Sequence, residues 1–130
     1  NAVIVIDWEY SNVGTRFRPL SMSLPPPLFP ICGYPMIFHH VKALSNLKQV
    51  KNVYLLGYED QKKFIPFLDQ VRTIFNFKIH YLQEKFPYNS FGGILYYKDA
   101  ICTDNPDYIF LMHCDICCSF PLYEMFKFHQ

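Results

Sequence analysis

Residues 14–21 read Gly14-Thr15-Arg16-Phe17-Arg18-Pro19-Leu20-Ser21, and residues 25–30 read Pro25-Pro26-Pro27-Leu28-Phe29-Pro30. This stretch follows a short apolar run at residues 2–6 and precedes a helical pattern that begins at Met36. An α/β protein presents a loop to a nucleotide at this kind of junction, where a strand gives way to a helix. Gly permits close backbone approach, Thr supplies a hydroxyl and Arg supplies a planar fork of donors, so residues 14–16 suit a phosphate group.

Short apolar runs alternate with helical patterns along the rest of the chain. This alternation is typical of parallel βαβ units with right-handed crossovers. We predict strands at residues 2–6, 52–57, 78–82 and 108–112, and helices at residues 36–47, 64–75, 93–101 and 122–129. Pro66 fits only the first turn of its helix or a kink. The sequence therefore predicts an α/β fold.

The composition bears on the class of protein and its partners. Hydrophobic residues make up 51% and charged residues 18% of the 130 residues, which is typical of a globular domain. A net charge of +1, with scattered basic residues, leaves no basic field for a nucleic-acid backbone. No apolar run is long enough to cross a bilayer, and the run at residues 2–6 is too short for a signal peptide. We therefore expect no nucleic-acid or membrane partner.

Two further features concern the setting of the chain. Five cysteines, an odd number, fit reduced intracellular thiols better than a disulfide framework, so we expect a cytoplasmic protein. The chain begins at Asn1 without a Met and ends at Gln130 within a predicted helix. We therefore expect it to be the opening part of a longer protein.

The quoted stretch resembles the signature of the sugar-1-phosphate nucleotidyltransferases, in which a Gly-rich turn precedes G-T-R-x-x-P-L-[ST] and then P-K-P. Within that family, the chain most resembles the alpha-type subunits of GDP-mannose pyrophosphorylase, also called mannose-1-phosphate guanylyltransferase. Further matches follow in the family's order at Gly33, Pro35-Met36-Ile37, His39-His40, Tyr81-Leu82-Gln83-Glu84, Pro87, Gly92-Gly93, Asp99, Asp115 and Phe120-Pro121-Leu122. The resemblance implies a Rossmann-like three-layer α/β/α fold with a mainly parallel sheet. Residues 1–130 would be the N-terminal part of that nucleotidyltransferase domain, so the fold would be incomplete here.

The resemblance also implies a reaction and a set of site residues. The family joins a nucleoside triphosphate to a sugar 1-phosphate and releases pyrophosphate, a reaction that depends on positioning and charge neutralisation. The implied catalytic residue is Arg16, and the implied ligand of a magnesium cofactor is Asp115. The implied nucleotide-binding residues are Gly14, Thr15, Arg16, Gln83, Asn89 and Gly92.

The chain departs from the family pattern at three places. Residues 7–13 replace a Gly-Gly turn with a longer, acidic and aromatic segment, in which Asp7 and Glu9 would repel a triphosphate. Pro26 stands where the P-K-P motif has its lysine, and one missing cation costs on the order of a hundredfold in rate. Residues 88–93 keep only the last two glycines of the family's L-G-T-G-G-G loop. These departures favour a regulatory or weakly active alpha-type subunit that binds GTP or GDP-mannose and a catalytic beta-type subunit.

Other interpretations stay open at this point. The chain could be an active guanylyltransferase whose triphosphate is held by other groups such as Arg18 or Lys98, or a truncated remnant without function. Residues 25–27 alone are also typical of a polyproline linker. Residues 113–118 contain a Cys-x-x-Cys pair and a His, but structural zinc usually needs a second ligand pair, which the sequence lacks. For His39 and His40 we expect one ring in the core and the other facing out.

Overall fold

The computed structural model describes residues 1–6, 18–85 and 91–130. In chain order its strands are β1 (Ala2–Val5), β2 (Pro30–Ile31), β3 (Tyr34–Pro35), β4 (Asn52–Gly57), β5 (Lys78–Gln83) and β6 (Phe110–His113). Its α-helices are α1 (Met36–Ser45), α2 (Ile65–Ile74), α3 (Gly92–Tyr96), α4 (Lys98–Ile101) and α5 (Leu122–His129). Short 3₁₀ turns lie at Leu20–Met22, Pro26–Leu28 and Gln61–Phe64. Across these ranges, no helix has the length and apolar character needed to span a membrane.

Four strands form one parallel sheet in the order β5-β4-β1-β6. The chain steps outward from β1 to β4 and β5, and then returns to place β6 on the other side of β1. The strand order therefore reverses between β1 and β6. In open α/β sheets, ligands bind at the carboxyl ends of the strands at such a reversal. The parallel α/β architecture predicted from the sequence is confirmed, and the gap beside the end of β1 is the place to look for a site.

The sheet carries a separate apolar core on each face. Alternate residues of β1 point to opposite sides, since Ile4 joins the larger core and Val3 joins the smaller one. The larger core packs against α1 and α2, and the smaller one is closed by residues of α3 and α4, including Ile101. All four residues of β1 are buried, which is the expected pattern for a central parallel strand. The three-layer α/β/α arrangement is therefore present.

The bounds of most predicted elements differ from the observed ones by one or two residues, and one predicted helix is divided. The strand β6 begins at Phe110, two residues later than predicted, because Phe110 pairs with Ala2 at the very start of β1. The helix α1 ends at Ser45. The helix predicted at residues 93–101 is divided at Tyr97, whose hydroxyl reaches back to donate to the carbonyl oxygen of Gln83. Pro66 lies in the first turn of α2, as predicted.

The proline-rich stretch is a packed turn that leads into α1. The rings of residues 25–27 are buried, and the turn Pro26–Leu28 packs against α1. A hairpin of β2 and β3 follows, with Cys32 and Gly33 at φ 52° and 83° in its two-residue turn. Such a turn needs a positive φ at both positions, which Gly adopts without strain. The polyproline-linker interpretation is therefore wrong.

Candidate functional site

The candidate site lies at the carboxyl ends of the parallel strands, next to the reversal between β1 and β6. β1 ends at Val5 and is followed by Ile6. Residues 7–17, which come next in the chain, and residues 86–90 lie outside the described residues. The predicted roles of Gly14, Thr15, Arg16 and Asn89 fall on these segments and stay predictions. The described part of the site therefore consists of the ends of β5 and β6 and the elements that support them.

Asp115 lies immediately beyond β6, beside the end of β1. The Cys114 backbone N–H donates to the Val5 carbonyl oxygen at 3.0 Å, so the two strands stay together up to this residue. Asp115 comes next in a turn, with its side chain exposed. A carboxylate therefore stands at the strand reversal, beside the end of β1.

The surroundings of Asp115 bear on its predicted role as a magnesium ligand. Within residues 1–6, 18–85 and 91–130, no cluster of three or more His, Cys, Asp or Glu side chains is arranged to hold a metal ion. Mg²⁺ commonly keeps several waters and is bound through one or two carboxylates together with substrate phosphates. A single exposed carboxylate fits a magnesium ion that arrives with a nucleotide, and its role stays a prediction.

His40 lies beneath the turn that carries Asp115. The imidazole of His40 is 0% exposed, with Nε2 at 3.1 Å from the His113 carbonyl oxygen and Nδ1 at 3.2 Å from the Met36 carbonyl oxygen. The ring centroid of Phe120 lies 4.8 Å from that of His40. His39, in contrast, is half-buried, with Nε2 at 2.9 Å from the Ile31 carbonyl oxygen. The neighbouring histidines therefore sit in different environments, as the helical pattern predicted.

Gln83 ends β5 on the opposite side of the sheet from Asp115. The ends of β4 and β1 separate the two residues, and three strand spacings amount to roughly 14 Å. Gln83 is exposed and lines a cleft of about 660 Å³. The other residues lining this cleft are Tyr58, Gln61, Tyr81, Leu82, Glu84, Lys85 and Tyr97. A ligand that touched both Gln83 and Asp115 would lie across the carboxyl ends of the central strands.

Carboxylates shape the electrostatics around the end of β5. Burial, followed by the charges of Glu59, Asp60 and Glu84, raises the pKa of the Tyr81 hydroxyl far above its ordinary value. That hydroxyl donates to the Glu59 carbonyl oxygen at 2.7 Å. Glu59 is paired with Lys63 at 2.5 Å, and Lys85 lines the cleft beside Glu84. The described charges are therefore of both signs and form no cationic site for a triphosphate. The Gln83 amide can both donate and accept, so this cleft suits the base of a nucleotide better than its phosphates.

The two surviving glycines of the 88–93 loop have different surroundings. Gly92 opens α3 and is half-buried. A Cβ built on Gly93 would lie 1.6 Å from Glu84 Oε1 and 3.2 Å from Leu56 Cδ2. The Glu84 carboxyl group therefore occupies the space that a side chain at position 93 would need, which explains why a glycine stands there.

Pro26 occupies a packing position. It is buried, and the Phe29 N–H donates to its carbonyl oxygen at 3.0 Å within the turn that supports α1. The structure thus places an apolar ring where the resembled motif has its lysine. Arg18, one of the groups suggested as a substitute cation, is exposed at the start of a described range. Lys98 opens α4, which packs on the face of the sheet opposite to α1.

Two supporting residues were not assigned a role from the sequence. Tyr97 connects the α3–α4 junction to the end of β5 through the Gln83 carbonyl. Gly57 ends β4, where a Cβ would lie 2.4 Å from Ile6 Cγ1. A glycine within a strand pattern is a general signal of close approach, but it does not name the neighbour.

Sequence comparisons match this chain to nucleotidyltransferases. The sequence model described as "Nucleotidyl transferase" matches residues 13–130. A mannose-1-phosphate guanylyltransferase regulatory subunit alpha from Dictyostelium discoideum is 39% identical over 117 residues, which are 90% of this chain and 28% of that protein. A probable mannose-1-phosphate guanyltransferase from Schizosaccharomyces pombe is 44% identical over 119 residues, 90% of this chain and 29% of that protein. The regulatory subunit alpha from Homo sapiens is 38% identical over 118 residues, 90% of this chain and 28% of that protein. The chain spans less than a third of the length of these relatives.

Solved structures share the fold. A crystal structure of a putative glucose-1-phosphate thymidylyltransferase from Bacillus anthracis matches with a TM-score of 0.76 at 17% identity, covering 100% of this chain and 51% of that one. A structure of apo UDP-glucose pyrophosphorylase matches with a TM-score of 0.67 at 15% identity, covering 100% of this chain and 55% of that one. The three-layer arrangement of this chain therefore corresponds to part of a nucleotidyltransferase fold.

Proposed function

Since the chain belongs to the nucleotidyl transferase family, we propose that it is part of a regulatory, alpha-type subunit of GDP-mannose synthesis. In this proposal, GTP or GDP-mannose binds across the carboxyl ends of the sheet, with its base near Gln83 and its phosphates near Asp115. Turnover is weak without a separate catalytic, beta-type subunit.

The position of Pro26 carries this proposal. The turn that would present a lysine to the phosphates packs a buried proline against α1 instead. Phosphoryl transfer depends on fixed positive charge, and loss of one such group lowers the rate by on the order of a hundredfold. Asp7 and Glu9 add two negative charges in the sequence that follows β1. Binding of a nucleotide tolerates these changes better than catalysis does, because catalysis needs the charge in the transition state.

Names of relatives support the regulatory assignment. Those from Dictyostelium discoideum and Homo sapiens are named as regulatory alpha subunits, whereas the one from Schizosaccharomyces pombe is named as a probable guanyltransferase. A regulatory subunit acts on a catalytic one, so the proposal includes such a partner.

An active guanylyltransferase is the second candidate, and Asp115 is the observation that favours it. Its carboxylate stands at the strand reversal in a position that fits magnesium brought by a nucleotide. A bound magnesium ion would neutralise charge on the phosphates. In this case Asp115 would orient the metal, and Asp115→Asn would abolish metal-dependent turnover.

An activity assay of the purified full-length protein separates the two candidates. The protein is supplied with GTP, mannose 1-phosphate and Mg²⁺, without any second subunit, and GDP-mannose formation is measured. We expect binding of GDP-mannose with turnover roughly a hundredfold or more below that of a working enzyme. Robust synthesis by the isolated protein would refute the regulatory assignment and establish the enzymatic one.

Binding is tested separately by thermal shift. GDP-mannose at a hundred times its dissociation constant should stabilise the protein by about 2.7 kcal/mol. Gln83→Leu should reduce this shift, because the cleft loses the amide that faces the base. Gln70→Leu, the same substitution at an exposed position of α2, is the matched control and should leave the shift unchanged. Equal shifts in all three proteins would count against the placement of the base beside Gln83.

A further inference from the structure

We propose that His40 positions Asp115 by holding the carbonyl oxygen of His113 with its Nε2–H. The inference rests on the proposed function, since it concerns the predicted contact of Asp115 with magnesium and nucleotide phosphates. His40 is a positioning residue in this scheme and touches no ligand itself.

The positions of the two carbonyl oxygens around His40 indicate which ring nitrogen donates the hydrogen bond to His113. Both ring nitrogens face carbonyl oxygens, at 3.2 Å for Nδ1 and 3.1 Å for Nε2. A neutral imidazole has one N–H and can therefore donate to one of the two. Met36 lies four residues before His40, and its carbonyl is already the acceptor of the ordinary helical backbone bond. Donation from Nε2 to His113 is the arrangement that connects α1 to β6.

The segment that carries Asp115 rests on His40 at both of its ends. His113, the last residue of β6, is held through its carbonyl oxygen two residues before Asp115. Phe120, at the far end of the segment, packs its ring on the imidazole with a centroid separation of 4.8 Å. The Phe120 backbone has φ 47°, and its N–H donates to Cys118 Sγ at 3.3 Å. One fully buried side chain thus supports both ends of an exposed turn.

Replacing His40 by Gln or by Asn distinguishes the role of Nε2 from that of Nδ1. The longer side chain of a His40→Gln variant would place its amide nitrogen near the former Nε2, where it can donate to His113. The shorter side chain of a His40→Asn variant would place its amide nitrogen near the former Nδ1, where it can reach only the Met36 side. Both variants lose the aromatic ring and its contact with Phe120. A role in packing alone therefore predicts similar behaviour for His40→Gln and His40→Asn.

The experiment measures GTP affinity of the full-length protein by calorimetry, with and without Mg²⁺. We expect Mg²⁺ to increase the affinity of the unmodified protein and of His40→Gln. In His40→Asn this increase should shrink by about tenfold or more, the usual effect of losing a group that orients a metal ligand. GTP affinity in the absence of Mg²⁺ should stay unchanged in both variants.

Asp115→Asn is measured alongside, so that a failure can be assigned. If Asp115→Asn keeps the gain from Mg²⁺, or if GTP does not bind at all, the metal assignment fails and this inference fails with it. A second outcome is that Asp115→Asn loses the gain while the two His40 variants behave alike, either both keeping the gain or both losing it equally. In that case the inference about His40 is overturned and the metal assignment stands. Should His40→Asn not fold, His40→Leu takes its place, because it also lacks the ring and offers no N–H to the His113 carbonyl oxygen. It should lose the same gain, and an unchanged gain would again overturn the inference.

Discussion

Gly57→Ala tests whether the end of β4 fixes the position of Ile6, the last described residue before the predicted phosphate-handling segment. The new Cβ would lie 2.4 Å from Ile6 Cγ1, 3.0 Å from Cδ1 and 3.3 Å from the Ile6 carbonyl oxygen. Ile6 cannot simply turn away, because its side chain is 1% exposed and its N–H donates to the Leu56 carbonyl oxygen at 2.7 Å. Overpacking of this kind costs about 1–3 kcal/mol, so Gly57→Ala should lower the free energy of unfolding by that amount.

A double-mutant cycle in urea assigns the cost to this contact. Ile6→Ala removes both crowded carbon atoms and should itself cost about 2–5 kcal/mol. In that background, Gly57→Ala should cost much less, and the difference between the two backgrounds should be about 1–3 kcal/mol. GTP affinity should also fall in the single Gly57→Ala variant, since Ile6 leads directly into residues 7–17. An unchanged urea midpoint, or an equal loss in both backgrounds, would refute the steric reasoning.

Two further predictions concern stability at other positions. Burial, followed by the charges of Arg72 and Lys78, lowers the pKa of His80 in the folded protein, so the unfolded chain binds that proton more tightly. The free energy of unfolding should therefore fall as the pH drops below about 6.5. The urea midpoint of His80→Asn should change less between about pH 7 and pH 5 than that of the unmodified protein. Equal changes in the two proteins would contradict this prediction. Phe64→Ala should cost about 3–5 kcal/mol because Phe64 is 0% exposed, whereas Phe91→Ala, at 75% exposed, should stay within about 0.5 kcal/mol. Equal urea midpoints for these two variants would show that the core is placed wrongly.

Local pattern was sufficient for the main elements of the fold. The run at residues 52–57 is apolar in most positions, and it forms a central strand with the predicted bounds. The break at Tyr97 could not be predicted in the same way, because it coincides with a contact to Gln83, fourteen residues earlier. Periodicity reports which side of a helix is apolar, and it carries no information about a single hydroxyl that reaches another element.

The candidate site divides along the same line. Gln83 and Asp115 could be placed at the ends of strands because each follows an apolar run, and parallel strands bring such ends to one edge. The contact between His40 and the His113 carbonyl oxygen could not be predicted, since it joins α1 to β6 across 73 residues of sequence. A histidine on the apolar side of a helix predicts burial, but its hydrogen-bond partner depends on how the helix docks on the sheet.

The helix α1 links the proline-rich turn to the segment that carries Asp115. On one side it packs against the buried turn that contains Pro26, and on another it holds His113 through His40. An apolar turn at Pro26 is compatible with firm docking of α1, and therefore with an oriented Asp115, although it removes a cation from the phosphates. In the proposed function, support for binding and loss of catalytic charge would thus arise from one packed unit. The combination leads us to expect a protein that retains magnesium-dependent nucleotide binding while transferring nucleotidyl groups slowly.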